Sequence, residues 1–146
     1  MIVNKKARYQ YEVIERWEAG IVLKGSEVKS IRDGRVTFVD SFAQIKRGEI
    51  FLYNLHIALY PFDHNPGYEP RRERKLLLHK KEIERLAGTL AQKGLTLIPL
   101  SIYFKKGRAK IEIGLARGKR FYDKRRKLKE RAVDQEIKRT LKENLR

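Results

Sequence analysis

The odd-numbered residues from Tyr9 to Leu23 read Tyr9, Tyr11, Val13, Glu15, Trp17, Ala19, Ile21 and Leu23, and only Glu15 breaks the run of apolar side chains. Period-two alternation of this length predicts one long β-strand. The natural right-handed twist coils a strand so long, and Gly20 offers a place to bend. A sheet built on such a strand curls, so the rest of the chain has to be read for partners that wrap around it.

Those partners follow in order. Between Lys24 and Asp33 the period changes, placing Val28 and Ile31 on one side of a short helix with Ser26 as its cap, while Glu27, Lys29 and Arg32 point elsewhere; Gly34 ends it. Phe38, Phe42 and Ile45 alternate less cleanly, and Arg47-Gly48 reads as a hairpin turn into Ile50-Phe51-Leu52-Tyr53. Pro61, Pro66, Gly67 and Pro70 make residues 61–74 a loop. Ile83, Leu86, Ala87 and Leu90 fall at helical spacing, predicting a helix that starts near His79 or Lys80 and finishes at a left-handed cap at Gly94. Leu95 and Leu97 share one parity and Leu100, Ile102 and Phe104 the other, which predicts a bulge around Ile98-Pro99. Lys105 to Arg108 then turns the chain back into Ile111, Ile113 and Leu115. Five or six strands with a bulge and two or three short helices describe a mainly β fold with some α: a small antiparallel β-barrel, closed or nearly so, with helices packed outside.

The charge bounds the partner. Thirty-five lysines and arginines face eighteen acids over 146 residues, a formal net charge of +17. A heat-adapted surface adds glutamate along with its bases, whereas here the signs are unbalanced, so a polyphosphate partner is the economical explanation. The thirty residues from Arg117 onward hold thirteen basic and five acidic side chains, a net +8, and no aromatic residue follows Tyr122. Val133, Ile137, Leu141 and Leu145 recur every fourth residue there, a stripe too narrow to hold a helix alone, so residues 122–146 read as a basic tail that orders against a polyanion. The absence of cysteine excludes disulfides, thiolate nucleophiles and zinc knuckles. No signal-like apolar stretch opens the chain and no run reaches the length of a membrane span, so the expected location is cytoplasmic, with no membrane partner.

No catalytic constellation assembles. His56, His64 and His79 lie in a strand, a loop and a helix start without metal-site spacing, so neither a metal nor a cofactor is expected. An endoribonuclease using His79 with Glu18 is the enzyme alternative, but no paired acid and base stand at recognisable spacing. The sharper pattern is electrostatic: Asn4, Lys5, Lys6 and Arg8; Lys29, Arg32 and Arg35; Arg71, Arg72, Arg74 and Lys75; and Lys110 are expected to converge on one side of the barrel. A carboxylate within such a patch accepts from the donor edge of an unpaired guanine, a specificity that lysine alone cannot supply, while Glu15, Glu18 and Glu27 also stand among bases as their natural partners. One of Leu76-Leu77-Leu78 should protrude, and Tyr122 is either the last packed residue or a stacking platform.

Several blocks together resemble the small protein B (SmpB) family, bacterial partners of transfer-messenger RNA. They are Asn4-Lys5-Lys6-Ala7-Arg8, Glu18 to Leu23, Gly25 to Arg32, Arg74 to Leu78, Gly94-Leu95-Thr96, Pro99-Leu100, Tyr103-Phe104, Gly118-Lys119-Arg120 and Asp123-Lys124-Arg125. The resemblance implies an OB-like barrel over residues 1–121 and a tail over 122–146, disordered when free and helical on the ribosome. It implies a non-enzymatic, monomeric protein that binds the tRNA-like domain of transfer-messenger RNA and carries it to stalled ribosomes in trans-translation. Association with elongation factor Tu and alanyl-tRNA synthetase would be indirect, through the RNA. By position it implies that Asn4, Glu18, Arg32, Leu77, His79 and Lys110 fall on the RNA-binding face, to which the charge pattern adds Lys5, Arg8, Glu27, Lys29 and Lys75 as expected RNA-binding residues. Gly118, Lys119, Arg120, Tyr122, Asp123, Lys124 and Arg125 would address the small-subunit decoding centre and message channel. Phe42, His79 and Tyr122 depart from the family pattern, where tyrosine, asparagine and histidine are usual. The alternative is a ribosomal or initiation-type barrel protein held on ribosomal RNA.

Overall fold

The computed structural model describes residues 1–92 and 94–118. Its elements in chain order are β1 (Ile2–Val3), α1 (Lys5–Gln10), β2 (Tyr11–Ile21), α2 (Gly25–Arg32), β3 (Val36–Thr37), β4 (Phe42–Lys46), β5 (Glu49–Tyr53), β6 (His56–Ile57), β7 (Arg74–Leu77), α3 (Lys80–Leu90), β8 (Leu95–Lys105) and β9 (Arg108–Gly118). Strands β8, β4, β5, β7, β2 and β9 follow one another around a closed ring, because β9 pairs back on to β8, and β1 pairs β8 at Ser101 and Ile102, beyond its contact with β4 at Leu97. β3 and β6 form a separate two-stranded ribbon. The described architecture is thus mainly β with three helices outside a closed ring.

Three long strands make the strong wall. β2 pairs β9 from Tyr11↔Gly118 to Gly20↔Lys110, and β9 pairs β8 from Leu95↔Arg117 to Lys105↔Arg108. The other seams are short, two residue pairs between β2 and β7 and one, Ala43↔Leu97, between β4 and β8. Both hairpins turn on two residues at positive φ, Arg47-Gly48 between β4 and β5 and Lys106-Gly107 between β8 and β9, the geometry that matches strand twist. The ring is filled by Ile50, Leu52, Leu76, Leu97, Ile102, Ile111, Ile113 and Leu115, with Trp17 packed partly buried against them and Leu86 of α3 closing the core.

The expected strand from Tyr9 begins later. Residues 5–10 are helical and Tyr9 is 81% exposed, because α1 lies against the outside of the wall with Ala7 on Ile98 and Ala116, making a second small core with Tyr11, Val13 and Leu100. Register shifts between Val13 and Glu15, so the break in alternation at Glu15 marks a bulge that moves the apolar side chains from the outer core to the inner one. A second shift between Pro99 and Ser101 does the same on β8, beside the predicted position. Ser26 does not cap α2: the helix starts at Gly25 after Lys24, whose N–H donates to the Glu27 carboxylate at 2.8 Å. α3 stops at Leu90, before Gly94, although Gly94 does adopt φ +86°. The tail and the segment 119–121 lie outside the described residues.

Candidate nucleic-acid interface

Folding gathers four of the expected residues from four elements around one groove of about 670 Å³: Glu18 of β2, Leu77 of β7, His79 at the N-cap of α3 and Lys110 of β9. Gly20 forms its floor. A β-carbon there would lie 3.2 Å from Leu77 Cβ and 3.3 Å from Cδ1, so the missing side chain is what lets Leu77 lie across the strand. Leu77 is 53% exposed while its neighbour Leu76 is buried, so strand alternation turns out the one leucine the core cannot take.

Glu18 is held ready to accept. The Tyr103 hydroxyl donates to it, Lys105 Nζ stands 3.4 Å away, and these together with Lys110 keep its carboxyl below the usual carboxylate range, so it is ionised at neutral pH. Burial, assisted by the charges of Glu18 and Glu112, pushes the Tyr103 phenol up to about 12, so it remains a donor. Arg16 meets Glu112 at 3.1 Å on the same exposed face. Beyond the hairpin tip, the Arg32 guanidinium sits 4.7 Å from the centre of the Phe104 ring, and Lys29 Nζ stands 5.5 Å from that of Tyr60. α2 thus continues the cationic face past the groove, to which it contributes Val28.

Glu27 is not on this surface. It is 1% exposed, bonded by Arg72 and, at 2.8 Å, by Arg74 Nε, in addition to the Lys24 N–H. Burial alone would raise its carboxyl, but the bonds from Arg72, Lys24 and Arg74 outweigh it and hold the group below its ordinary value. Arg74 is wholly buried and also donates to the carbonyls of Leu55 and Pro70 at 2.6 and 2.9 Å, while Tyr68 donates to Ile57 O at 2.7 Å. The network fastens α2 to the loop between β6 and β7. Arg72 and Arg74 therefore face inward, which corrects the expectation that their run joins the outer patch.

The remaining residues are dispersed. Asn4 donates through Nδ2 to Pro99 O at 2.8 Å, and with Lys5 it lines a second groove of about 340 Å³ beside residues 36–41. Arg8 is exposed on α1. Lys75 points outward on β7 and meets Glu49 at 3.2 Å. Gly118 ends β9 opposite Tyr11, and Lys119, Arg120, Tyr122, Asp123, Lys124 and Arg125 lie outside the described residues. Among the described residues no three His, Cys, Asp or Glu side chains are grouped to hold a metal ion, and no helix is long and apolar enough to cross a membrane. Tyr103 and Phe104 escaped the sequence reading as site residues. Counting back from the two-residue turn pairs Tyr103 with Lys110 and Phe104 with Ala109, and would have found them.

The chain has known relatives. The family model for SmpB protein matches residues 1–143. SsrA-binding proteins from Enterococcus faecalis (53% identical, covering 98% of this chain and 93% of the relative) and Acidothermus cellulolyticus (57%, covering 94% and 87%) are close relatives. A solved chain from "tmRNA-SmpB: a journey to the center of the bacterial ribosome" superposes with a TM-score of 0.69 at 55% identity, covering 80% of this chain and 82% of that one. With a model match over almost its full length, relatives above half identity and a fold shared with a solved member, this chain belongs to the SmpB protein family.

Proposed function

We propose that this protein binds the tRNA-like domain of transfer-messenger RNA and delivers it to stalled ribosomes in trans-translation, acting by binding rather than catalysis. The observation that carries the reading is the convergence of Glu18, Leu77, His79 and Lys110 on one groove in a member of this family. Their chemistry suits folded RNA. An ionised Glu18 accepts from a guanine donor edge, Leu77 presents an apolar surface to a base or sugar, and Lys110 with Arg32 meets phosphates. The closed ring is read as an OB-like barrel, an architecture suited to oligonucleotides. Lys29, Lys75, Lys5, Arg8 and Asn4 are proposed as flanking contacts; Glu27 supports the site from within.

Residues 118–125 and the tail are assigned to the ribosomal decoding centre and message channel. Gly118 lies eight strand steps beyond Lys110 on β9, roughly 25 Å at strand rise, so the chain leaves the ring far enough from the groove for both ends to be engaged together. The test is the affinity of the full chain for transfer-messenger RNA, ribosomal RNA fragments and unrelated transcripts at moderate salt. Transfer-messenger RNA should be preferred, and Glu18→Ala or Lys110→Ala should weaken that binding about tenfold or more with an unchanged melting temperature. Equal affinity for all transcripts, or preference for ribosomal RNA, overturns the reading.

A further inference from the structure

We propose that Tyr60 and Phe62, with Lys29 beside them, form a stacking platform for an unpaired nucleobase, a contact separate from the groove. It rests on the RNA-binding reading above and extends it. Phe62 is 80% exposed, although it lies in a chain with ample core, and its ring meets Tyr60 edge-on, with centroids 5.4 Å apart and planes at 61°. Tyr60 is half-buried beneath it, so the pair has a fixed base and an open top. The loop holding them is not slack. Asp63 N–H donates to Tyr60 O at 2.9 Å, closing a turn around Phe62, and further along Tyr68 and Arg74 tie the loop to Ile57 and Leu55 and to buried Glu27.

The neighbouring charges specify the occupant. Lys29 Nζ lies 5.5 Å from the Tyr60 ring centre, and Arg32, one helical turn on, covers Phe104. An apolar protein partner would meet two desolvated cations here, whereas a nucleotide supplies a π-face for Phe62 and a phosphate for Lys29. The strip is continuous with the groove through Val28 and Ala109, which line it next to Lys29 and opposite Phe104. An RNA strand lying in the groove can run across α2 and set a splayed base on Phe62.

The experiment measures binding of transfer-messenger RNA and, in parallel, of an unrelated single-stranded oligonucleotide carrying 2-aminopurine, by the wild type and the Phe62→Ala, Phe62→Leu, Phe62→Trp and Lys29→Gln variants. Stacking predicts a loss of about 5- to 100-fold for both Phe62→Ala and Phe62→Leu, retention by Phe62→Trp, and 2-aminopurine quenching that disappears with the ring. The Phe62 variants should keep the wild-type salt dependence, whereas Lys29→Gln should reduce the slope of log affinity against log salt by about 0.7. Full binding and quenching by Phe62→Ala, with Glu18→Ala still defective, removes the platform and leaves the function standing. Rescue by Phe62→Leu marks an apolar contact and also overturns it. Loss of preference for transfer-messenger RNA in the wild type strikes the function instead, and the oligonucleotide arm still decides the platform.

Discussion

At the scale of single residues, Glu27 has the largest structural consequence. A carboxylate taken wholly out of water survives because two guanidinium groups and a backbone N–H meet it, and removing its charge leaves Arg72 and Arg74 facing each other uncompensated. Glu27→Gln should cost about 3–5 kcal/mol at pH 7, read by urea unfolding. Its folded-state carboxyl lies below the ordinary 4.5, so its contribution is complete above that value and drains away as the pH falls through the lowered one. The stability gap between wild type and Glu27→Gln should therefore be widest above pH 4.5 and narrow toward pH 3; a gap constant across that range would show that the charge is not what matters. Sequence reasoning placed Glu27 among bases but on the outside. Its arginines lie 45 and 47 residues further on, and a helical period cannot report which polar side a distant loop will cover.

At the scale of elements, patterns that are local were legible and those imposed by packing were not. Both hairpins were readable because a two-residue turn sets the register of everything beside it, and the β8 bulge was readable because parity changes sign there. α1 was hidden: Tyr9 and Tyr11 continue the alternation, and only the small side chain of Ala7 hints at a helix seated on the wall. The groove was legible as a set of residues through family resemblance, since Glu18 and Leu77 are 59 residues apart in sequence, with β4 and β5 between them, and adjoin only when β2 pairs β7. Asn4 acts at this scale too. Its backbone N–H donates to Leu100 O at 2.8 Å and its amide to Pro99 O, pinning the start of α1 to the bulge. Asn4→Ala should lower stability by about 1 kcal/mol and speed amide exchange in α1 ahead of the ring. Exchange that quickens uniformly would mean that α1 and the ring open as one unit.

For the whole molecule, the proposed division between a gripping ring and a basic tail makes its own prediction. Truncation after Asp123 should leave affinity for transfer-messenger RNA within about threefold of wild type, because the groove residues all precede it, but abolish peptide tagging on stalled ribosomes in a reconstituted translation assay. Equal loss of both would mean that one surface serves both partners. The short seam of the ring has a quieter effect. Sheets with long bare margins recruit their neighbours into fibres; here β2 meets β7 only at Gly20 and Ile21, and the rest of that margin carries Glu12, Glu15, Arg16 and Glu18 and the bulge between Val13 and Glu15, features that blunt an edge. Copies crowding along the same transcripts meet a charged and kinked margin instead of a flat template, which disfavours polymerisation.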